Sequence, residues 1–230
     1  MSETILVTGA SAGFGQAICR RLVADGYRVI GSARRIDKLQ ALQEELGEAF
    51  YPLQMDVTDL SQVDHALASL PKAWEKVDVL VNNAGLALGL APAYEAEVAD
   101  WLTMIQTNIV GLTYLTRKIL PQMVERNDGY IINLGSTAGT VPYPGANVYG
   151  ASKAFVKQFS LNLRADLAGK KIRVSNIEPG LCEGTEFSSV RFKGDEKRVE
   201  ALYRDAHAIQ SEDIANTVAW LIQQPKHVNV

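Results

Sequence analysis

Two side chains in this sequence have the types and spacing that support proton transfer to or from an oxygen atom. Tyr149 and Lys153 are four residues apart in a stretch of helical periodicity, so both leave one face of the predicted helix, about one turn apart. A lysine ammonium within a few ångströms stabilises a phenolate and lowers the tyrosine pKa from about 10 toward neutral. Tyr149 is therefore the predicted general acid and base.

Two further polar residues precede this pair. Ser136 lies just after a predicted strand, and its hydroxyl can hydrogen-bond a substrate oxygen, as the Tyr149 hydroxyl can. Asn108 has an amide that we expect to hold a water next to Lys153. Each residue also has an ordinary interpretation: a surface pair on a helix for Tyr149 and Lys153, a loop hydroxyl for Ser136 and a helix bend for Asn108. Their occurrence together, behind a glycine-rich loop, favours hydride transfer with a proton relay.

That glycine-rich loop follows the first predicted strand and opens the first helix, with the spacing G-x-x-x-G-x-G. Glycine lets the backbone approach a pyrophosphate, and the helix N-terminus supplies free N–H groups and a positive dipole end. Residues 82–85 (Asn-Asn-Ala-Gly) follow the fourth strand, at the same carboxyl edge of the sheet. A simple connecting turn is the alternative. The predicted dinucleotide contacts here are Gly9, Ser11, Gly13, Phe14, Gly15, Asn83, Ala84 and Gly85.

Arg34 and Arg35 end the second strand, where NAD-binding proteins commonly carry an acidic residue. Guanidinium groups suit a 2′-phosphate, so the predicted cofactor is NADP(H). The alternative is that one or both arginines are solvated residues at a helix start. After the third strand, Asp56 and Val57 are placed to contact the adenine, although Asp56 could instead form an Asx turn or cap the helix that begins at Leu60.

Alternating strands and helices must position all of these residues. The predicted strands cover residues 4–8, 27–33, 49–55, 77–81, 130–134 and 172–177. The predicted helices cover residues 13–25, 36–46, 60–70, 98–126, 149–167 and 211 to about 224. Strands that are apolar on successive residues are typical of a parallel sheet covered on both faces. The predicted fold is therefore α/β, a doubly wound parallel sheet of Rossmann type in three α/β/α layers.

One domain is predicted over residues 1–230, because the sequence has no internal repeat, low-complexity tract or Pro/Ser-rich linker. Residues 181–210, which we call the substrate segment, break the periodicity with glycines and charges and are predicted to be mobile. Arg191 in this segment is the candidate to bind a substrate anion. The alternatives for Arg191 are a surface position or an ion pair with Glu183 or Glu186.

Composition restricts the classes of partner. The net charge of -3 comes from 23 basic and 26 acidic residues without a basic run, which argues against nucleic acid or an anionic membrane as the main partner. Two distant cysteines and three scattered histidines form no metal-ligand pattern, and a reducing cytoplasm suits them best. We find no signal peptide and no stretch apolar enough to span a membrane.

The motifs together resemble those of the short-chain dehydrogenase/reductase family over essentially the whole chain. This resemblance implies a Rossmann-type sheet, a homotetramer or homodimer, and a nicotinamide ribose held by Lys153. It implies catalytic roles for Asn108, Ser136, Tyr149 and Lys153, and cofactor contacts from Pro179, Gly180 and Thr185. Two features depart from the family pattern: Thr185 comes one residue later than in Pro-Gly-x-x-x-Thr, and relatives usually continue with a seventh strand and a tail after a segment like residues 227–230.

Within the family, residues 83–89, 148–156 and 178–188 resemble the NADP-dependent 3-hydroxy acid dehydrogenases and the sulfoacetaldehyde reductases. Both groups act on short anionic aldehydes or hydroxy acids. Leu-Cys-Glu at residues 181–183 favours the second group, so the predicted reaction is NADPH-dependent reduction of sulfoacetaldehyde to isethionate. One alternative is a dehydrogenase of 3-hydroxypropionate or L-serine. Another is a non-catalytic NADP-binding sensor, although a sensor could dispense with Ser136, Tyr149 and Lys153.

Overall fold

A computed structural model describes residues 3–204 and 206–230 of the chain. Its strands form one parallel sheet in the order β3-β2-β1-β4-β5-β6. The strands are β1 (Thr4–Thr8), β2 (Arg28–Ala33), β3 (Phe50–Gln54), β4 (Val79–Asn82), β5 (Gly129–Leu134) and β6 (Ile172–Ile177). The order reverses between β1 and β4, which is the point where open α/β sheets bind their ligands. The predicted doubly wound Rossmann-type fold is confirmed.

Helices cover both faces of the sheet. The helices are α1 (Gly13–Ala24), α2 (Ile36–Leu46), α3 (Leu60–Ala68), α4 (Val98–Ile105), α5 (Leu112–Arg126), α6 (Asn147–Asp166), α7 (Phe187–Arg191), α8 (Glu196–Tyr203) and α9 (Ser211–Gln223). Side chains alternate along β1, so that Ile5 and Val7 pack with α1, α2 and α9, while Leu6 packs with α3, α5 and α6. This alternation gives two cores, one on each side of the sheet, and leaves the carboxyl edge of the strands for polar loops.

The helix predicted over residues 98–126 is interrupted in the structure. Between α4 and α5 the chain makes a π-helical stretch, Gln106–Gly111, where the backbone bonds are one residue longer than in an α-helix. Hydrophobic periodicity alone does not report such an offset, because both flanking helices keep their own regular pattern. The interruption places Asn108 inside the π-helical stretch.

The substrate segment contains two helices, α7 and α8, that the sequence reasoning missed. They have five and eight residues, which is too short for a clear helical period. The Asp195 carboxylate accepts the Arg198 backbone N–H at 3.2 Å and caps α8, so an N-cap signal was present in the sequence. The Tyr203 hydroxyl forms hydrogen bonds with Ser188 Oγ and the Cys182 carbonyl, and so links distant parts of the substrate segment to one another.

No helix within residues 3–204 and 206–230 is long and apolar enough to cross a membrane. In the same described part of the chain, no cluster of three or more His, Cys, Asp and Glu side chains is placed to hold a metal ion.

Candidate active site

The glycine-rich loop joins β1 to α1 at the reversal point of the sheet. Gly9 and Gly13 have φ values of 69° and 52°, in the left-handed region that favours glycine. A Cβ placed on Gly15 would lie 2.2 Å from the Gly9 carbonyl oxygen. Only glycine at position 15 therefore lets α1 begin this close to the end of β1. The free N–H groups at the start of α1 therefore face the carboxyl edge of the sheet.

The loop after β4 braces the glycine-rich loop. The Thr8 hydroxyl accepts hydrogen bonds from the backbone N–H groups of Asn83 and Ala84, at 3.0 and 2.8 Å. In return the Asn83 side-chain amide donates to the Thr8 carbonyl at 2.7 Å. The two loops, 74 residues apart when counted from Thr8 to Asn82, thus form one rigid wall.

A cleft of about 630 Å³ runs along this edge, within the size range of small-molecule and cofactor sites. All but one of the predicted cofactor residues line it, the exception being Gly15, which lies behind the loop. The residues that line it are Gly9, Ser11, Gly13, Phe14, Arg34, Arg35, Asp56, Val57, Asn83, Ala84, Gly85, Tyr149, Lys153, Pro179, Gly180 and Thr185.

The two arginines at one end of the cleft differ in their contacts. The Arg35 guanidinium pairs with the Glu186 carboxylate at 3.1 and 2.8 Å and also donates to Ser11 Oγ. Arg34 is exposed, and its side chain has no ion-pair partner in the described ranges. The binding of a 2′-phosphate by both arginines stays a prediction, and the Glu186 carboxylate that already holds the Arg35 guanidinium leaves Arg34 the freer of the two.

Asp56 forms the Asx turn that the sequence left open as an alternative. Its Oδ1 accepts from the backbone N–H and the hydroxyl of Thr58, at 2.9 and 2.8 Å. The cap of α3 is Asp59, whose carboxylate accepts from the Gln62 N–H. Asp56 and Val57 still line the cleft, so their contact with an adenine stays a prediction.

Thr185 packs against the glycine-rich loop. A Cβ on Gly13 would lie 3.1 Å from the Thr185 Cβ, and the Thr185 hydroxyl accepts the Phe187 backbone N–H at 3.2 Å. On the opposite wall, the Pro179 carbonyl accepts the Thr137 N–H at 3.0 Å and so holds residues 179–180 against the loop after β5.

Tyr149 and Ser136 meet at the other end of the cleft. Ser136 lies two residues after the end of β5, and its Oγ accepts the Ala138 N–H at 3.1 Å, which caps a short 3₁₀ turn and fixes the hydroxyl. Tyr149 is buried on the first turn of α6, with its ring 5.7 Å from that of Phe187. Burial raises the pKa of Tyr149 to about 12, against smaller opposing effects of the Ser136 hydroxyl and the Arg191 charge.

Lys153 lies on the same side of α6 as Tyr149, as the four-residue spacing predicts. Its ammonium donates to the Leu134 carbonyl at 2.7 Å and lies 5.9 Å from the centre of the Tyr149 ring. Burial lowers the pKa of Lys153 to about 8. The sequence led us to expect a tyrosine pKa lowered toward neutral by this ammonium. The structure shows the opposite direction, because desolvation of the phenol outweighs its neighbouring charges.

Asn108 fixes the backbone next to Lys153. Its amide nitrogen donates to the Leu86 carbonyl at 2.9 Å and to Ser152 Oγ at 3.0 Å, and its Oδ1 accepts the Leu86 N–H at 2.9 Å. Both amide hydrogens are therefore committed to protein. The side chain joins the π-helical stretch to α6 and to the loop after β4, and a water held by the remaining lone pair of its oxygen stays a prediction.

Arg191 is buried at the end of α7, with 9% of its surface exposed. Its guanidinium lies 5.4 Å from the centre of the Tyr143 ring and 5.7 Å from that of Tyr149. Nε donates to the Gly89 carbonyl at 3.2 Å, whereas the buried Nη2 has no hydrogen-bond partner in the described residues. A buried donor without a partner is costly, so Arg191 stays the candidate to bind a substrate anion.

The alternatives for Arg191 do not describe its position. It is not on the surface, and Glu186 pairs with Arg35 while Glu183 accepts a hydrogen bond from Gln210.

Sequence reasoning missed the contacts of Glu186 and Ser152. Glu186 meets Arg35 across 151 residues, and no local pattern reports so distant a contact. Ser152 had a usable signal, since it lies between Tyr149 and Lys153. Its hydroxyl donates to the Tyr149 carbonyl at 2.7 Å and accepts from Asn108.

Comparison with known proteins agrees with this geometry. A family model described as short chain dehydrogenase matches residues 3–196. A Salmonella typhi protein described as an NADP-dependent 3-hydroxy acid dehydrogenase is 58% identical over 226 residues, which are 98% of this chain and 91% of the relative. A serine 3-dehydrogenase of Agrobacterium fabrum is 51% identical over 230 residues, 100% of this chain and 92% of the relative. The solved closed form of a serine dehydrogenase complexed with NADP+ superimposes with a TM-score of 0.97 at 56% identity, covering 99% of this chain and 92% of that one.

Proposed function

The chain belongs to the short chain dehydrogenase family, and we propose that it interconverts short 3-hydroxy acids, L-serine among them, and their 3-oxo products. It is an NADP-dependent oxidoreductase that acts on CH–OH groups. The two relatives described above, at 58% and 51% identity, are dehydrogenases, which counts against a non-catalytic sensor. The preference for sulfoacetaldehyde finds no support among them, and the 3-hydroxy acid alternative takes its place.

The observation that carries this proposal is the buried Arg191 guanidinium beside Tyr149. Its free Nη2 and the two flanking aromatic rings form a small cationic pocket next to the phenol and Ser136. A charge-assisted bond from this nitrogen to a carboxylate would orient a short hydroxy acid, with its hydroxyl carbon toward the phenol. Simple alcohols lack the carboxylate and would lose this orientation.

NADP(H) fits the residues that line the cleft. The close contact of Gly15 with Gly9 brings the start of α1 to the place where a pyrophosphate would bind its N–H groups. Arg34 would hold the 2′-phosphate, and Lys153 the nicotinamide ribose. When bound, the nicotinamide accepts a hydride from the alcohol carbon during oxidation and returns it during reduction.

The protein's own residues handle the proton. A pKa of about 12 keeps the Tyr149 hydroxyl protonated near neutral pH, so it can donate to the substrate oxygen in reduction. Oxidation is the reverse step and starts from the Tyr149 phenolate, whose oxygen takes up the substrate hydroxyl proton. Ser136 would hold the substrate oxygen during both steps, because its hydroxyl is fixed beside the phenol. The partly charged Lys153 would favour the phenolate as it forms.

Steady-state kinetics tests this function. We expect kcat/KM with NADP+ to be highest for L-serine and 3-hydroxypropionate, followed at 340 nm, and kcat/KM with NADPH to be higher for malonate semialdehyde than for sulfoacetaldehyde. Arg191→Ala should lower kcat/KM for 3-hydroxypropionate about 100-fold, the loss expected from a buried charge-assisted bond. It should leave the value for the methyl ester nearly unchanged.

The matched control is Arg198→Ala, because Arg198 is an exposed arginine of the same segment whose guanidinium packs on Phe192. It should leave both substrates unaffected. Equal losses on acid and ester in Arg191→Ala would reject the carboxylate site.

A homotetramer or homodimer remains an expectation from the family resemblance, and a cytoplasmic location remains one from the two distant cysteines. Exposed apolar side chains on α4 and α6 are consistent with subunit contacts: Val98, Leu102, Ile105, Phe155 and Leu161. Light scattering on a size-exclusion column would measure the assembly.

A further inference from the structure

One short helix spans the cleft from the arginine end to the catalytic end. Glu186 directly precedes α7, and Arg191 is its last residue. At a rise of 1.5 Å per residue the five residues cover about 7.5 Å, and their single turn moves as one body. A contact that holds Glu186 therefore also limits where Arg191 can lie.

The contact at the first end is a two-pronged ion pair. Arg35 Nη1 and Nη2 donate to the two Glu186 oxygens at 3.1 and 2.8 Å, while Nε and Nη2 donate to Ser11 Oγ at 3.2 and 3.0 Å. Four of the five guanidinium N–H groups are thus directed at protein atoms. Arg35 links the substrate segment to the glycine-rich loop.

The contacts at the second end use backbone and charge. The Gly89 N–H donates to the Arg191 carbonyl at 2.9 Å, and Arg191 Nε donates back to the Gly89 carbonyl. The Lys193 ammonium pairs with Asp100 on α4 at 2.8 Å. The segment is therefore held at both ends of the cleft, and the Glu186 contact is the one that lies next to the predicted phosphate site.

We propose that Glu186 is a positioning residue: by pairing with Arg35 it ties the substrate segment to the glycine-rich loop and holds Arg191 where a substrate carboxylate binds. Binding of the cofactor's adenosine end near Arg35 and binding of the substrate anion at Arg191 are then coupled through α7. Only the last step, the carboxylate at Arg191, rests on the proposed function.

The tether itself is tested without turnover. Trypsin cleavage after Lys193, Lys197 and Arg198, followed by mass spectrometry on the free protein, should be two- to fivefold faster in Glu186→Ala. Arg35→Ala should give the same rise, and the double variant no further rise, because the two residues act as one contact.

Glu45→Ala is the matched control. Glu45 also makes a two-pronged ion pair of similar exposure, with Arg20 Nε and Nη2 at 2.7 and 2.8 Å, away from the substrate segment. Its cleavage rate should equal that of the unaltered protein. An unchanged rate in Glu186→Ala, or rises that add in the double variant, would overturn the tether.

The positioning role is tested by kinetics with NADP+. Glu186→Ala should raise the KM for 3-hydroxypropionate two- to fivefold with kcat nearly unchanged, and should leave kcat/KM for its methyl ester unaffected. An equal effect on acid and ester would overturn the coupling to Arg191. If the unaltered protein oxidises no 3-hydroxy acid, the proposed function fails, whereas the trypsin experiment still decides the tether.

Discussion

The catalytic corner (Ser136, Tyr149, Lys153 and Asn108) and the substrate segment are held in different ways. Asn108, Tyr149 and Lys153 are buried, and the side chains of Asn108 and Lys153 bond backbone groups, as with Lys153 to the Leu134 carbonyl at 2.7 Å. The substrate segment is attached largely through exposed groups, including the Arg35–Glu186 and Lys193–Asp100 ion pairs. Exposed pairs contribute little to stability, so the segment can open while the corner keeps its geometry.

This difference separates chemistry from recognition. Reacting groups have to be held within a fraction of an ångström, which buried hydrogen bonds provide. A segment that admits and releases substrate needs contacts that break easily. Changes in the corner should therefore affect turnover, and changes near the segment should affect binding.

The largest expected effect is at the phenol. Tyr149→Phe should lower kcat about 1,000-fold, within the range for loss of a general acid, while the affinity for NADPH, measured by fluorescence titration, changes little. Tyr114→Phe is the control, since Tyr114 bonds Asp64 on the surface. A Tyr149→Phe enzyme within tenfold of full turnover would contradict the acid–base role.

A second substitution measures how much stability the buried Lys153 ammonium costs. In the folded protein the pKa of Lys153 is about 8, against an ordinary value of 10.5. Below pH 8 both the folded and the unfolded chain carry the charge, and its burial in the folded chain costs stability. Between these values the unfolded chain keeps the proton that the folded chain has released, and stability rises with pH. Lys153→Met should raise the free energy of unfolding at pH 7 by about 2 kcal/mol, after allowing for the lost hydrogen bond.

Urea unfolding of the free protein measures this effect, and the advantage of Lys153→Met should shrink between pH 8 and pH 10. The exposed Lys170→Met should show no such pH dependence. A variant less stable than the unaltered protein at pH 7 would contradict the burial penalty.

The smallest expected effect is at the exposed end of the cleft. Arg34→Ala should raise the KM for NADPH about tenfold and that for NADH little, because a charge-assisted bond to the 2′-phosphate is lost. Arg35→Ala should have a smaller effect on NADPH, since Glu186 and Ser11 occupy most of its donors. Equal increases in the KM for NADPH in the two variants would show that Arg35 also binds the 2′-phosphate.

The parallel sheet could be predicted because the strands are short apolar runs at regular intervals. The predicted bounds of β1 and β6 agree with the structure, and those of the other strands differ by at most two residues at either end. The site residues come together because the carboxyl ends of parallel strands share one edge. Both conclusions need only local sequence.

Properties that depend on the environment of a residue were not predictable. The raised pKa of Tyr149 and the lowered pKa of Lys153 follow from burial, which spacing on a helix does not reveal. The Arg35–Glu186 pair joins residues far apart in the chain, and the same is true of the Asn108 contacts with Leu86 and Ser152.

The π-helical stretch Gln106–Gly111 makes the site sensitive to a count of residues. One residue of an α-helix corresponds to a rotation of about 100°. Shortening this stretch by a single residue would give a regular helix, but it would turn α4 by that angle relative to α5 and move the Asn108 carboxamide away from Leu86. Insertions and deletions should therefore be tolerated in the surface loops yet excluded from these six positions, even where every catalytic side chain is retained.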